Sequence, residues 1–240
     1  ILFIDEENSF INTEEFAATV KGSDNYFVLI TRENLYNLPY SVEEIYGLRS
    51  SGKYQNTRKV YQETYQIYSR VQQLPVKPQK ILLEDSNSGY EFFKAVSDET
   101  GRQCQSAEGK SNLLKKLKDT ESEELCVIAD GAAIGPEMNG LYQKIQKNSN
   151  IKLYLPESFE WIILNAGILE GKEIQEILQN PEAYIDSKEY FSWERYFTKL
   201  LIEKTEGTYL QYKKATLNET YLHEKNKRKI LQSMKGIDFS

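Results

Sequence analysis

Between residues 80 and 164 the chain repeats one pattern four times: a short apolar run, a polar turn, then a segment of helical periodicity. "KILLEDSNSGYEFFKAV" begins the series and "RQCQSAEGKSNLLKKL" continues it. "ELCVIADGAAIGPEMNGLYQKI" and "IKLYLPESFEWIIL" complete it. Apolar runs this short, bounded by turns and alternating with helices, suit strands buried on both faces. The fold class expected is therefore α/β, a parallel sheet flanked by helices. In such sheets the functional groups gather where the strands end at their carboxyl edge. Glu84, Asp85, Asp130 and Glu157 all fall there.

Gly109-Lys110-Ser111 opens the second of these helices and raises the question of a phosphate loop. That loop needs a glycine five residues before Gly109, so that backbone N–H groups can wrap a phosphate. Position 104 is Cys104, and no glycine lies between Gly101 and Gly109. The tripeptide therefore reads as a tight turn.

Upstream, "ILFIDEENSF" reads as a buried strand ending in Asp5 and Glu6. A helix capped by Thr13 and closed by Gly22 follows, then a second buried strand, Tyr26 to Ile30, opening into Thr31 and Arg32. Strand, helix, strand at this spacing predicts a parallel pair. Residues 49–79 read as a connecting helix with Tyr61, Tyr65 and Tyr68 on one face. The favoured role for these tyrosines is packing on the core. Lys53, Arg58, Lys59 and Arg70 lie near them, so base stacking is the alternative. Residues 166–240 read as helical.

Composition narrows the chemistry. The 240 residues carry a formal charge of -6, so nucleic acid could be held only by a local basic patch. Two cysteines without a CxxC pattern read as buried free thiols in a reducing, cytoplasmic setting. The one histidine, His223, sits in a charged helix, which argues against histidine-based catalysis. No apolar run approaches the ~18 residues of a membrane span.

Two resemblances follow from these motifs. An apolar strand ending in Asp5-Glu6 resembles the Walker B element of P-loop NTPases. The next strand, with Thr31 and Arg32, resembles the sensor strand. The resemblance implies that Asp5 helps hold Mg²⁺, that Glu6 polarises water, and that Thr31 and Arg32 reach the γ-phosphate of ATP. The chain begins with Ile1 inside an apolar run, so the phosphate loop that ATP needs is expected upstream. The unit from 80 to 165 resembles a Toprim domain, the metal-binding fold of topoisomerases, primases and nucleases of the overcoming-lysogenization-defect (OLD) family. Its marks are Glu84 after the first strand, the Gly109 turn after the second, Asp130 after the third, and Glu157 and Glu160 after the fourth. An ATPase followed by Toprim is the OLD order.

The implied organisation is the tail of a P-loop NTPase sheet over 1–48, a tyrosine-rich linker helix over 49–79, the Toprim-like domain over 80–165 and a helical C-terminal region over 166–240. The implied cofactors are Mg²⁺ or Mn²⁺ at Glu84, Asp85, Asp130 and Glu157, with Glu84 as ligand or general base and Lys110 balancing phosphate charge. The implied partners are DNA or RNA and a second copy of the chain, with no membrane, and the implied activity is nuclease. One departure leaves alternatives open. Where Toprim has Asp-x-Asp, this chain has Asp130-Gly131-Ala132. Either Asp85, Glu137 or Glu157 supplies the missing ligand, or the site holds one metal, or the unit is a non-catalytic, partner-binding part of an NTPase regulator. A further alternative joins strands at 1–5, 26–30, 81–84 and 125–129 in one sheet.

Overall fold

A computed structural model describes residues 1–5, 8–50, 61–72, 75–117, 124–185 and 188–239. Its centre is a four-stranded, wholly parallel sheet made of β5 (Lys80–Leu83), β6 (Gln103–Ser106), β7 (Leu125–Ile128) and β8 (Ile151–Tyr154), in the order β6-β5-β7-β8. The alternation of a strand sorts its side chains between two layers. Ile81, Leu83, Cys126 and Ile128 enter one core, and Leu82, Leu125, Val127 and Ala129 enter the other. Helix α3 (Ser88–Glu99) covers the first face with Phe92, Phe93 and Val96. Helices α4 (Lys110–Lys116) and α5 (Met138–Lys147) cover the second with Leu113, Met138, Leu141 and Ile145. With both faces covered, the strands need the near-continuous apolar sequence they carry.

The C-terminal residues complete the first face. Helices α6 (Phe159–Asn165), α7 (Lys172–Gln179), α8 (Trp193–Thr205) and α9 (Glu224–Ser233) share the core of α3. The chain end is tied down beside the first strand of the sheet. Val76 N–H donates to Gly236 O at 2.8 Å, and Asp238 N–H donates to Val76 O at 2.9 Å. The buried Arg102 guanidinium donates to Pro78 O at 2.9 Å and to Phe239 O at 2.8 Å. Both cysteines are buried and free, and burial pushes their thiols up to about 11 (Cys104) and about 12 (Cys126), which makes them poor nucleophiles.

The N-terminal segment forms a separate parallel pair, β1 (Leu2–Ile4) with β2 (Phe27–Leu29), linked by α1 (Glu14–Gly22). The Thr13 hydroxyl accepts from Phe16 N–H at 3.1 Å and caps α1 as its sequence predicts. The expectation that these strands are buried holds on one face only. Ile4, Phe27 and Leu29 pack against Ile11, Phe16, Leu35 and Leu38, whereas Phe3 and Val28 are exposed. The single-sheet alternative does not hold, because β1 and β2 pair only with each other among the described residues.

The linker helix expected over 49–79 is corrected. Tyr61–Gln66 is strand β4, antiparallel to β3 (Tyr46–Ser50), and only Ile67–Val71, helix α2, is helical. Spacings of three and four suggested a helix, but cross-strand partners decide otherwise. Tyr65 lies opposite Gly47, and its ring fills the space that glycine leaves open, with the Arg70 guanidinium 3.7 Å from the ring centre. Tyr68 is buried and its hydroxyl accepts from Leu155 N–H at 2.7 Å, so the core-packing role holds for that residue. Lys53, Arg58 and Lys59 lie outside the described residues.

The turn after β7 brings two backbones into contact. Gly131 N–H donates to Pro156 O at 2.5 Å, and a Cβ at position 131 would lie 2.5 Å from Leu155 O. The obstacle is main chain, which cannot swing aside. Gly131→Ala is therefore expected to cost about 2–3 kcal/mol, roughly 5–10 °C in Tm, read by thermal unfolding. A variant that melts with the wild type would refute this close approach.

Candidate functional site

The strand order places a switch point between β5 and β7. From β5 the chain leaves through α3 to β6 on one side, then crosses back through α4 to β7 on the other. Such a crevice at the carboxyl edge is where ligands of open α/β sheets bind. Glu84 and Asp85 follow β5, and Asp130 stands two residues beyond β7, so three of the expected acidic residues flank it. Glu84 is fixed by its own backbone: its N–H donates to Ile128 O at 2.9 Å, and its carbonyl accepts from Gly109 N–H at 2.7 Å. Gly109 has φ +110°, a conformation that favours glycine, and it leads directly into α4. Gly109-Lys110-Ser111 is thus the tight turn into α4, and the Lys110 N–H is a backbone donor to the Glu84 carboxyl. The Lys110 ammonium donates to Ala133 O at 3.1 Å, across the crevice.

Asp85 is differently employed. Its carboxyl accepts from the N–H groups of Asn87 and Tyr90 and so caps the start of α3. Asp130 stands where the chain turns, its carbonyl accepting from Ala133 and Ile134 N–H, each at 3.1 Å.

Three further charged residues come from outside the strand ends. Glu160, in the first turn of α6, is buried; its Oε1 accepts from Tyr212 Oη at 2.8 Å and Thr198 Oγ1 at 3.0 Å. Tyr212 Oη also lies 2.7 Å from Ser88 Oγ. Glu194, in the first turn of α8, forms an ion pair with Lys214. The open cleft bounded by these groups has a volume of about 530 Å³ and is lined by Glu84, Asp85, Asp130 and Glu194, with Lys110, Arg195 and Lys214 among them. Glu160 was visible in sequence as part of a glutamate-bearing helix start. Glu194 and Lys214 were not, because nothing in a charged helix or loop reports which distant strand end it will face.

The carboxyls raise one another's affinity for protons. Desolvation, then Asp85 and Glu194, pushes Glu84 up to about 7, against the opposing pull of Lys110. Desolvation, then Glu194, Glu160 and Glu84, holds Asp130 well above the usual carboxylate range. Asp85 is raised by desolvation, with its two backbone donors opposing. For Lys214 burial works against the charge, but Glu160, Glu194 and Asp130 outweigh it and hold the ammonium above the ordinary lysine range. The site is an acidic depression partly neutralised by its own lysine.

Other expected site residues lie elsewhere. Glu157 does not line the cleft. Its carboxylate accepts from Ser41 Oγ at 3.2 and 3.3 Å, and desolvation pushes it up to about 7, with Ser41 opposing and Glu43 and Glu44 adding to the rise. The turn after β8 explains this, because Ala132 N–H takes the Glu157 carbonyl at 3.2 Å and the side chain leaves toward Ser41. Asp5 is exposed at the end of β1 and its carbonyl accepts from Asn8 Nδ2 at 2.7 Å. Thr31 Oγ1 accepts from Glu33 N–H at 2.9 Å, and Thr31 and Arg32 line a different cavity, of about 340 Å³. Glu6 lies outside the described residues. Among the described residues, no three His, Cys, Asp or Glu side chains converge closely enough to hold a metal ion as they stand. No described helix is long and apolar enough to cross a membrane. Comparison with family models, with curated proteins and with solved structures gives no match.

The raised carboxyls predict a pH dependence of stability. Glu84 and Glu157 bind protons more tightly in the folded chain than at the ordinary value of 4.5. The stability this confers is complete below 4.5 and is lost as pH rises through about 7. Without divalent ions, Tm should fall as pH rises between about pH 5 and pH 8. Glu84→Gln, permanently neutral, should flatten that fall, and an unchanged slope in this variant would refute the assignment.

Proposed function

We propose that this chain is a Toprim-like unit that takes a divalent cation between Glu84 and Asp130 and acts on a phosphodiester of nucleic acid. One observation carries the reading: two desolvated carboxyls end adjacent parallel strands at the switch point, with cationic side chains on the same cleft. The donor set suits Mg²⁺ or Mn²⁺, which prefer hard carboxylate oxygens. Carboxyls whose proton affinity is raised by desolvation and then by one another's charge are also ones a cation can relieve. When bound, such an ion supplies Lewis acidity and a water of lowered pKa. Glu84 and Asp130 would hold it. Asp85 accepts from the start of α3 and Glu157 from Ser41, so this reading rests on Glu84 and Asp130 and leaves the place of the carboxylate absent at Ala132 to Asp85, Glu137 or Glu157. Lys110 and Arg195 would hold substrate phosphate at the rim. Asp5, Thr31 and Arg32 belong to the separate β1–β2 pair, and their part in binding ATP remains an expectation of the Walker B resemblance.

A second reading has an observation of its own. Lys214 already stands among Glu194, Glu160 and Asp130, the place a cation would otherwise neutralise. A cleft so filled suits a non-catalytic unit that binds a partner within an NTPase regulator.

Calorimetric titration with Mn²⁺ separates the two. The first reading expects binding at millimolar or better affinity, lost in Glu84→Gln and Asp130→Asn and retained in Glu157→Gln. Wild type that takes no Mn²⁺, or cleft variants that bind as wild type does, would overturn it in favour of the partner-binding unit.

A further inference from the structure

The acidic cleft opens beside a second cavity of about 700 Å³, and the two share Pro39, Phe191 and Ser192 in their linings. The second cavity differs in chemistry. It is walled by aromatic side chains, among them Tyr26, Tyr40, Phe191 and Trp193. Tyr26 is 73% exposed and Phe191 is 40% exposed, so both offer ring surface to a ligand. The Arg195 guanidinium lies 5.1 Å from the centre of the Phe191 ring and lines the acidic cleft, so the two cavities meet at an aromatic–guanidinium pair. Stacking rings beside cations that can track a phosphate backbone are the combination by which proteins hold single strands, because every base has a face to stack and every linkage a charge.

We propose that the aromatic cavity receives the unstacked bases of a single-stranded polynucleotide whose adjoining phosphates lie against Arg195 and Lys110 in the cleft. This rests on the cleft being a phosphodiester site, and it names the substrate form that site takes. Three features select this occupant. The cavity adjoins the cleft at Pro39, Phe191 and Ser192, so one chain of alternating bases and phosphates can reach from one to the other. Its lining carries five rings, Tyr26, Tyr40, Tyr190, Phe191 and Trp193, among polar and charged groups that include Lys21 and Lys188, a mixture that suits bases and their linkages. Both spaces are concave, whereas a base-paired duplex keeps its base faces stacked inside and offers none to Phe191 or Trp193. With a formal charge of -6 on the chain, attraction has to come from these local cations and from stacking, not from the overall field.

The test uses the 240-residue chain in EDTA, so that binding is read without metal or turnover. Anisotropy of a fluorescein-labelled oligo-dT is compared with that of a duplex of equal length. Fluorescence is followed in a Trp161→Phe background, where Trp193 is the remaining indole. Oligo-dT is expected to bind at least tenfold tighter than duplex and to quench Trp193. Phe191→Ala, at an exposed position that leaves the core intact, is expected to weaken it by about tenfold or more. Equal affinity for duplex, an unquenched Trp193, or an unchanged Phe191→Ala would overturn the proposal. Because no metal is present, these outcomes are independent of the Mn²⁺ titration: oligo-dT binding without Mn²⁺ binding would leave a single-strand site on a non-catalytic unit.

Discussion

The pairing of β5 with β7 is the constraint on which the rest of the molecule depends. These two strands were made consecutive in space but not in sequence, with β6 and its flanking helices inserted between them in the chain. Their apolar residues are divided between two cores, so neither can slip by one residue without turning a whole set of buried side chains to the wrong face. Register therefore brings Glu84 opposite Ala129, so that Glu84 and Asp130 both line the cleft at the strand ends. Their proximity is a by-product of the same hydrophobic sorting that makes the sheet, and the backbone bond from Glu84 N–H to Ile128 O carries it one step past the last paired residue.

Gathering like charges in a crevice is costly, and the structure shows three ways in which the cost is limited. Desolvation and neighbouring carboxyls raise the proton affinity of Glu84 and Asp130. An ammonium, Lys214, is drawn in among Glu194, Glu160 and Asp130. The deepest carboxyl, Glu160, is given hydroxyl donors from Tyr212 and Thr198. A proton and an ammonium are alternative answers to one electrostatic problem, and this cleft draws on both.

The residues beyond 166 are part of this arrangement and not an appendage. They share the core of α3, and they bring Glu194, Arg195 and Lys214 to the strand ends. The segment around residues 39–42 works from the other side. Val42 N–H donates to Gly131 O at 3.0 Å and Ser41 holds Glu157, so the N-terminal pair is anchored to the turns that shape the cleft. The aromatic cavity is formed where that anchor and the start of α8 face each other.

Much of the central sheet was legible in the sequence because its signals are local. Apolar runs of four residues, a positive-φ glycine before α4 and acidic residues after β5 and β7 each report on their own neighbourhood. They sufficed for the α/β class, the parallel sheet and three of the acidic residues at its edge. The Tyr61–Tyr65–Tyr68 spacing misled because periods of two and of 3.6 overlap over so few residues, and only the partner strand β3 could decide between them. The position of Glu157 was equally out of reach, since a one-residue difference in a turn sends a side chain to the cleft or to Ser41. Sequence alone determined which segments could be strands and where their charges would stand along the chain. Tertiary structure alone decided which of those charges meet, because Glu194, Arg195 and the ring of Phe191 reach the cleft at the strand ends through the packing of α8 on a face made by residues a hundred positions away.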